Sequence, residues 1–141
     1  FNYYDFQGST WAPSVVHRDI WNRVGGLSQE YFPGTGSDPD FNMKLWNIGV
    51  RLFKGISKSR VYHFSSVSLR SKVWNDGHKT FLLKWGISIK FFRKHYLRSD
   101  TIFKDELSDP IKNIDYYFDL FKCKFKLFFL RILNLFASSK F

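Results

Sequence analysis

From Lys79 to Leu97, Phe81, Trp85, Ile89, Phe92 and Tyr96 recur at steps of four and three residues. Between residues 113 and 136, Tyr117, Phe121, Phe125, Phe128, Ile132 and Leu135 do the same. Residues three and four apart share one face of an α-helix, so both stretches read as helices carrying an apolar stripe. That periodicity commits most of the second half of the chain to helix, and any sheet has to come from the first half. In the first stretch Lys84, Lys90, Arg93, Lys94 and Arg98 fill the remaining positions, which makes a basic amphipathic helix with Gly86 as a break point. The second stretch is apolar on two sides, because Leu120, Cys123, Leu127 and Leu130 lie opposite its stripe among Lys124 and Arg131. Its longest run with few charges, LFFLRILNLF, is far short of the roughly 20 residues that span a bilayer. An interfacial or protein-docked helix is the expectation.

The first half alternates. STWAPSVVH, residues 9 to 17, is β-prone, with Pro13 implying an edge or bulge. A short helix is expected from Arg18 to Val24, stopped by Gly25 and Gly26, and LSQEYFPGTG reads as loop. SDPDFNMKLWNIG then has the marks of a helix. Ser37 or Asp38 caps it, Pro39 suits its first turn, Asp40 opposes the positive end of the dipole, and Gly49 ends it. VRLFKGI, residues 50 to 56, and SRVYHF, residues 59 to 64, read as strands. Strand alternating with helix predicts an α/β layer structure for residues 1–70, followed by a helical, basic and aromatic extension over residues 71–141.

The whole chain is 141 residues, one domain at most, and its 44% apolar content argues against intrinsic disorder. A single Cys excludes an internal disulfide and a Cys-based zinc framework, and suits a reducing compartment. FNYYDFQG lacks the basic and apolar regions of an export signal, and the missing initial Met points to a fragment. Rings make up 21% of the residues, more than a core of this size needs, so some are expected on a surface that meets a partner. The net charge of +10 divides as +3 before residue 71 and +7 after it. Such a balance favours anionic partners. Nucleic acid is not expected among them, because no recognition motif is present and the aromatics fall at helical spacing.

Few residues carry chemistry by their pattern. Asp38 and Asp40 stand at a loop-to-helix junction behind PGTG, where a carboxylate can act as a general base, bind a hard cation, or cap the helix. His63, in VYHFSS, can ligate a metal, contact a phosphate or simply pack among aromatics. His17, His78 and His95 make no ligand spacing with it or with one another, and no HExxH, CxxC, GxSxG or phosphate-binding glycine loop occurs.

The segment APSVVHRDIWNRVGGLSQEYFPGTGSDPDFNMKLWNIGVRLFKGISKSRVYHF resembles the C-terminal half of the catalytic domain of family 2 glycosyltransferases, nucleotide-sugar enzymes of the GT-A fold. The order matches: a strand with Ala12 and Pro13, a helix ending in Gly25-Gly26-Leu27, an acidic motif opening a helix at Asp38, and a strand leading to His63. FLLKWGISIKFFRKHYL also looks like the tail that follows this core in many bacterial members, so the resemblance spans roughly residues 8 to 98.

The resemblance implies a partial GT-A, Rossmann-like fold without its N-terminal nucleotide-binding half, and inverting transfer from a nucleotide sugar to a saccharide or glycolipid acceptor in cell-surface polysaccharide synthesis. Asp38 matches the general base, with Ser37 where an acidic residue often stands. Trp11, Gly25, Gly26 and Asp40 would lie at the acceptor, and His63 matches a residue that reaches the metal or diphosphate. A divalent metal, Mg²⁺ or Mn²⁺, is implied, its main carboxylate ligands lying in the missing half, so the chain alone is expected to be inactive. The implied location is cytoplasmic, at the inner face of the cell membrane if the basic half contacts lipid. The alternative is a non-catalytic basic amphipathic module that binds anionic membrane surfaces.

Overall fold

The computed structural model describes residues 4–8, 13–59, 61 and 75–138, with side chains through Leu133. Over these residues the fold is helix-rich with one small sheet. Strand β1, Phe6–Gln7, pairs antiparallel with β2, Lys54–Gly55, in the register Phe6 to Gly55 and Gln7 to Lys54. The other edge of β1 is taken by residues 101–103. Phe6 bridges Ile102, the Gln7 amide donates to the Thr101 carbonyl at 2.7 Å, and the Phe103 amide donates to the Asp5 carbonyl at 2.9 Å. The expected strand over residues 50–56 therefore shrinks to two residues, because only Lys54 and Gly55 find a partner strand. Residues 13–17 form no strand. They run as irregular chain into a helix, and the rest of the expected strand lies outside the described residues. Ser59 and Val61 are likewise outside any strand. Helix with a small antiparallel sheet is compatible with the expected α/β class, the described sheet being limited to this strand pair.

The helices follow local chemistry closely. Helix α1, Arg18–Val24, is capped by His17, whose Nδ1 accepts from the Asp19 amide at 3.3 Å, and it ends where Gly25 turns left-handed at φ 72°. Helix α2, Ser37–Asn47, begins after Gly36, which has φ 101° and no side chain with which to cap. The expectation of a Ser37 or Asp38 cap is thus corrected. Both residues lie inside the first turn, where Pro39 needs no amide partner. Helix α3, Gly77–Trp85, is capped by Asp76 through the Lys79 amide and stopped by Gly86, the break that the sequence suggests. Helix α4, Ile89–Phe91, is capped by Ser88 and widens into a π-type turn over Phe92–Tyr96. Helix α5, Ile114–Ser138, closes the fold.

The core draws on both halves of the chain. Tyr31, Phe41, Leu45 and Trp46 pack with Phe81, Leu82, Phe91 and Phe92 in one cluster. Phe81 and Phe92 have no exposed surface, and full burial of a ring is worth about 1.5–3 kcal/mol each. The stripe on residues 79–97 is therefore core. On α5 the assignment reverses: Tyr116, Cys123 and Leu127 are buried, with Leu120 and Leu130 packed beside them, while Tyr117, Phe121, Phe125 and Phe128 stand in solvent.

Candidate functional site

The Gly25-Gly26 turn delivers the chain from α1 toward the head of α2. Gly26 has φ 61°, and a Cβ there would come within 2.7 Å of the Trp21 indole, so the turn is closed against that ring. Trp21 in turn leans on Phe41 of α2, with ring centroids 5.0 Å apart. Together with Leu27, Val16, Arg18 and Asp38 these rings line a cleft of about 450 Å³, a volume in the range of small-molecule sites. Trp21 and Leu27 remain 40% and 48% exposed there.

Asp38 is the carboxylate of this cleft. It caps nothing, and no hydrogen-bond or ion-pair partner is found for it among the described residues. Partial burial disfavours its charged form and pushes its pKa above the ordinary carboxylate range. The capping role open to it in the sequence is accordingly not the one it has.

Asp40, two residues on, lives in the opposite environment. It has no exposed surface. Its Oδ2 accepts from Ser28 Oγ at 2.6 Å. Its Oδ1 accepts from Trp85 Nε1 at 2.8 Å and Tyr31 Oη at 3.2 Å, and pairs with Lys84 Nζ at 2.9 Å. Burial alone would raise its pKa, but the hydrogen bonds from Ser28, Lys84 and Trp85 outweigh burial and hold it below the usual value. Lys84 also pairs with Glu30 at 2.7 Å, and these two acids keep its ammonium charged against the effect of burial. The same surroundings, burial first and the Asp40 charge second, push the Tyr31 phenol up.

Asp40 is therefore not free to touch an acceptor, which corrects its expected role as an acceptor-binding residue. It is a positioning residue. Through Ser28 it holds the segment after Gly26, and Lys44, 3.8 Å from its Oδ2, donates to the Gly26 carbonyl at 3.0 Å. The Gly25-Gly26 turn closes against Trp21, whose ring lines the cleft, while Trp11 and His63 lie outside the described residues. The sequence reading missed Trp21 and Arg18. Their signal was available, since i, i+3 spacing on a helix that ends at a double glycine puts both on the face preceding the turn.

The residues of the acidic motif do not fit a divalent metal. Asp40 already has its cation in Lys84, and Asp38 has no second carboxylate or imidazole beside it among the described residues. A different trio does converge. His95, Asp115 and Asp119 bring ligand atoms within 4.8 Å of one another where the end of α4 meets α5, a proximity that their sequence spacing does not reveal. The cation there is the Lys94 ammonium, 2.7 Å from Asp115 and 2.8 Å from Asp119, while His95 Nε2 sits 3.0 Å from Asp119.

No family model, curated protein or solved structure matches this chain.

Proposed function

We propose that this chain forms the acceptor side of an inverting, nucleotide-sugar-dependent glycosyl transfer of the family 2 type, with Asp38 as the base. The observation that carries the reading is the contrast within one turn of α2. Asp40 is buried and fully paired, whereas Asp38 has no partner among the described residues and faces a cleft walled by an exposed indole. Aromatic faces suit the apolar faces of sugar rings, and a carboxylate whose pKa is raised toward the working pH is a better matched base.

In this reading an acceptor saccharide stacks on Trp21 and donates one hydroxyl hydrogen bond to Asp38. As that oxygen forms a bond to the anomeric carbon of the donor, the bond from carbon to the diphosphate breaks on the opposite face. The hydroxyl proton passes to Asp38. The products are the inverted glycoside and a nucleoside diphosphate. No step is assigned to a metal, because the described residues around Asp38 supply no ligand set for one. No described residue is assigned to binding of the donor nucleotide.

Two measurements test the proposal. Saccharide titration of the chain should quench tryptophan fluorescence, and Trp21→Phe should remove that response. In the chain joined to a nucleotide-sugar-binding half, Asp38→Asn should abolish transfer while leaving donor binding within about 2-fold, since a lost base acts on the chemical step. Full transfer by the Asn variant would sink the base role.

A further inference from the structure

The outward face of α5 has no partner among the described residues. Phe118, Phe121, Phe125, Phe128, Phe129 and Leu133 stand between 47% and 65% exposed along one side of the helix, while its other side is fixed to the core by Tyr116, Cys123 and Leu127. From Phe118 to Leu133 the face runs about 22 Å at an α-helical rise of about 1.5 Å per residue. An apolar face of that extent marks an interaction surface.

Charge identifies the occupant. At 100° per residue, Lys122 and Lys126 flank the phenylalanines on one side and Lys124 and Arg131 on the other, all four exposed. No acidic residue occurs from Leu120 to Leu133. The nearest acid, Asp119, is held by Lys94 and His95 on the packed side and also lies 3.7 Å from Lys122 at the edge of the face. One edge of the face also opens on a cavity of about 400 Å³ between α3 and α5, lined by Trp85, Gly86, Lys124, Phe128 and Arg131. Aromatic rings between two rows of flexible cations match a lipid surface in both layers. The rings enter the acyl boundary while the cations reach the phosphates beside them. Among the described residues no helix is long and apolar enough to cross a membrane, so the geometry is that of a helix lying in the interface.

We infer that α5 docks this chain on an anionic lipid surface, with its phenylalanine face in the interface plane and Lys122, Lys124, Lys126 and Arg131 on the headgroups. The inference does not depend on the proposed chemistry at Asp38, and it assigns a use to the rings that the core leaves over. Attraction of four cations to an anionic surface is screened by salt, so binding should be strongly salt-dependent.

The test is flotation of the 141-residue chain with vesicles of phosphatidylcholine alone or with about one-third phosphatidylglycerol, at about 0.05 M and about 0.5 M NaCl. Binding is expected on the anionic vesicles at low salt, at least about 10-fold weaker on neutral ones and at high salt. Phe121→Asp with Phe125→Asp should reduce binding at least about 10-fold. Lys124→Glu with Lys126→Glu should do so without touching the rings, and both pairs of sites are exposed, so circular dichroism should stay unchanged. Equal binding to neutral vesicles, or undiminished binding by either double variant, would overturn the inference. So would failure to float at low salt, whether the chain sediments as a monomer or as a dimer that the Phe121 and Phe125 changes disrupt, the second result giving the face to another copy of the chain.

Discussion

Trp85 Nε1 donates to Asp40 Oδ1 at 2.8 Å, a bond that joins the last residue of α3 to the first turn of α2 across 45 positions of sequence. The basic helical part of the chain thereby holds the acidic motif of the first part. Lys84, one residue earlier, adds its ammonium to the same carboxylate. The two bonds fix the helix head on which Asp38 is carried, so the stiffness of the cleft originates on a helix that does not line it.

Removing that carboxylate should be expensive. Asp40→Ala leaves Lys84 with Glu30 as its one carboxylate among the described residues and strips an acceptor from Trp85, Ser28 and Tyr31 at a buried site. Breaking a buried charge pair by deleting one partner costs about 3–5 kcal/mol. Urea denaturation should show that loss, with Asp40→Asn intermediate because it retains the shape and an acceptor oxygen. A change below about 1 kcal/mol for the Ala variant would mean that Asp40 is not the hub.

The turn between α1 and α2 offers a comparison of neighbours. Gly25 and Gly26 both have positive φ, yet a Cβ on Gly25 meets nothing within 4 Å, while one on Gly26 strikes the Trp21 ring. Gly25→Ala should therefore show left-handed strain alone, about 1–2 kcal/mol. Gly26→Ala has the same strain and must also move the indole. Its expected signature is a larger loss of stability together with a shifted tryptophan emission, and loss of any saccharide response. Equal effects of the two variants would separate the turn from the cleft.

What was legible in the sequence, and what was not, follows range. Helix α1 and its glycine stop, the break at Gly86 and the long helix α5 are local consequences of capping and periodicity, and they stand as expected. Strand 50–56 was read from composition, but a strand exists only where another backbone pairs with it, and here β1 reaches only Lys54 and Gly55. On α5 both faces are apolar, so periodicity found the helix without deciding which face packs; the complementary shape of α3 and α4 selected Tyr116, Cys123 and Leu127. In the acidic motif, spacing placed Asp38 and Asp40 together but could not show that Asp40 would meet Lys84 and Trp85 while Asp38 finds no partner among the described residues. The meeting of His95 with Asp119 was equally invisible, since it depends on how α4 lies on α5.

Acid should expose a second set of anchors. Hydrogen bonds from Lys94 and then His95 hold the Asp119 pKa down at about 2, and the Ser57 amide followed by Lys54 holds Asp5 at about 2. Both folded values lie below the unfolded carboxylate value of about 3.9. Their stabilisation is therefore present above about pH 4 and is lost as pH falls toward about 2. Thermal unfolding between those limits should show a falling Tm, and Asp119→Asn should flatten part of the fall while lowering Tm at pH 7. An unchanged acid slope in that variant would remove Asp119 from the account.

Asp38 should behave in the reverse sense, because burial raises its pKa and the folded chain prefers it protonated. A carboxyl with a raised folded value favours the fold at low pH and works against it as pH rises past the unfolded value of about 3.9. At pH 7 the charged Asp38 is therefore a cost to stability, and Asp38→Asn should relieve it. The expected result is a higher urea midpoint at pH 7, within the range of about 0.5–2 kcal/mol that single stabilising substitutions commonly give. The difference should disappear below about pH 3, where Asp38 is protonated in both states. A replacement that strengthens the fold of the chain while abolishing transfer in the joined protein is the pattern that the proposed base role predicts. If Asp38→Asn instead weakens the fold as Asp40→Asn does, the two carboxylates share a structural task and the cleft loses its base.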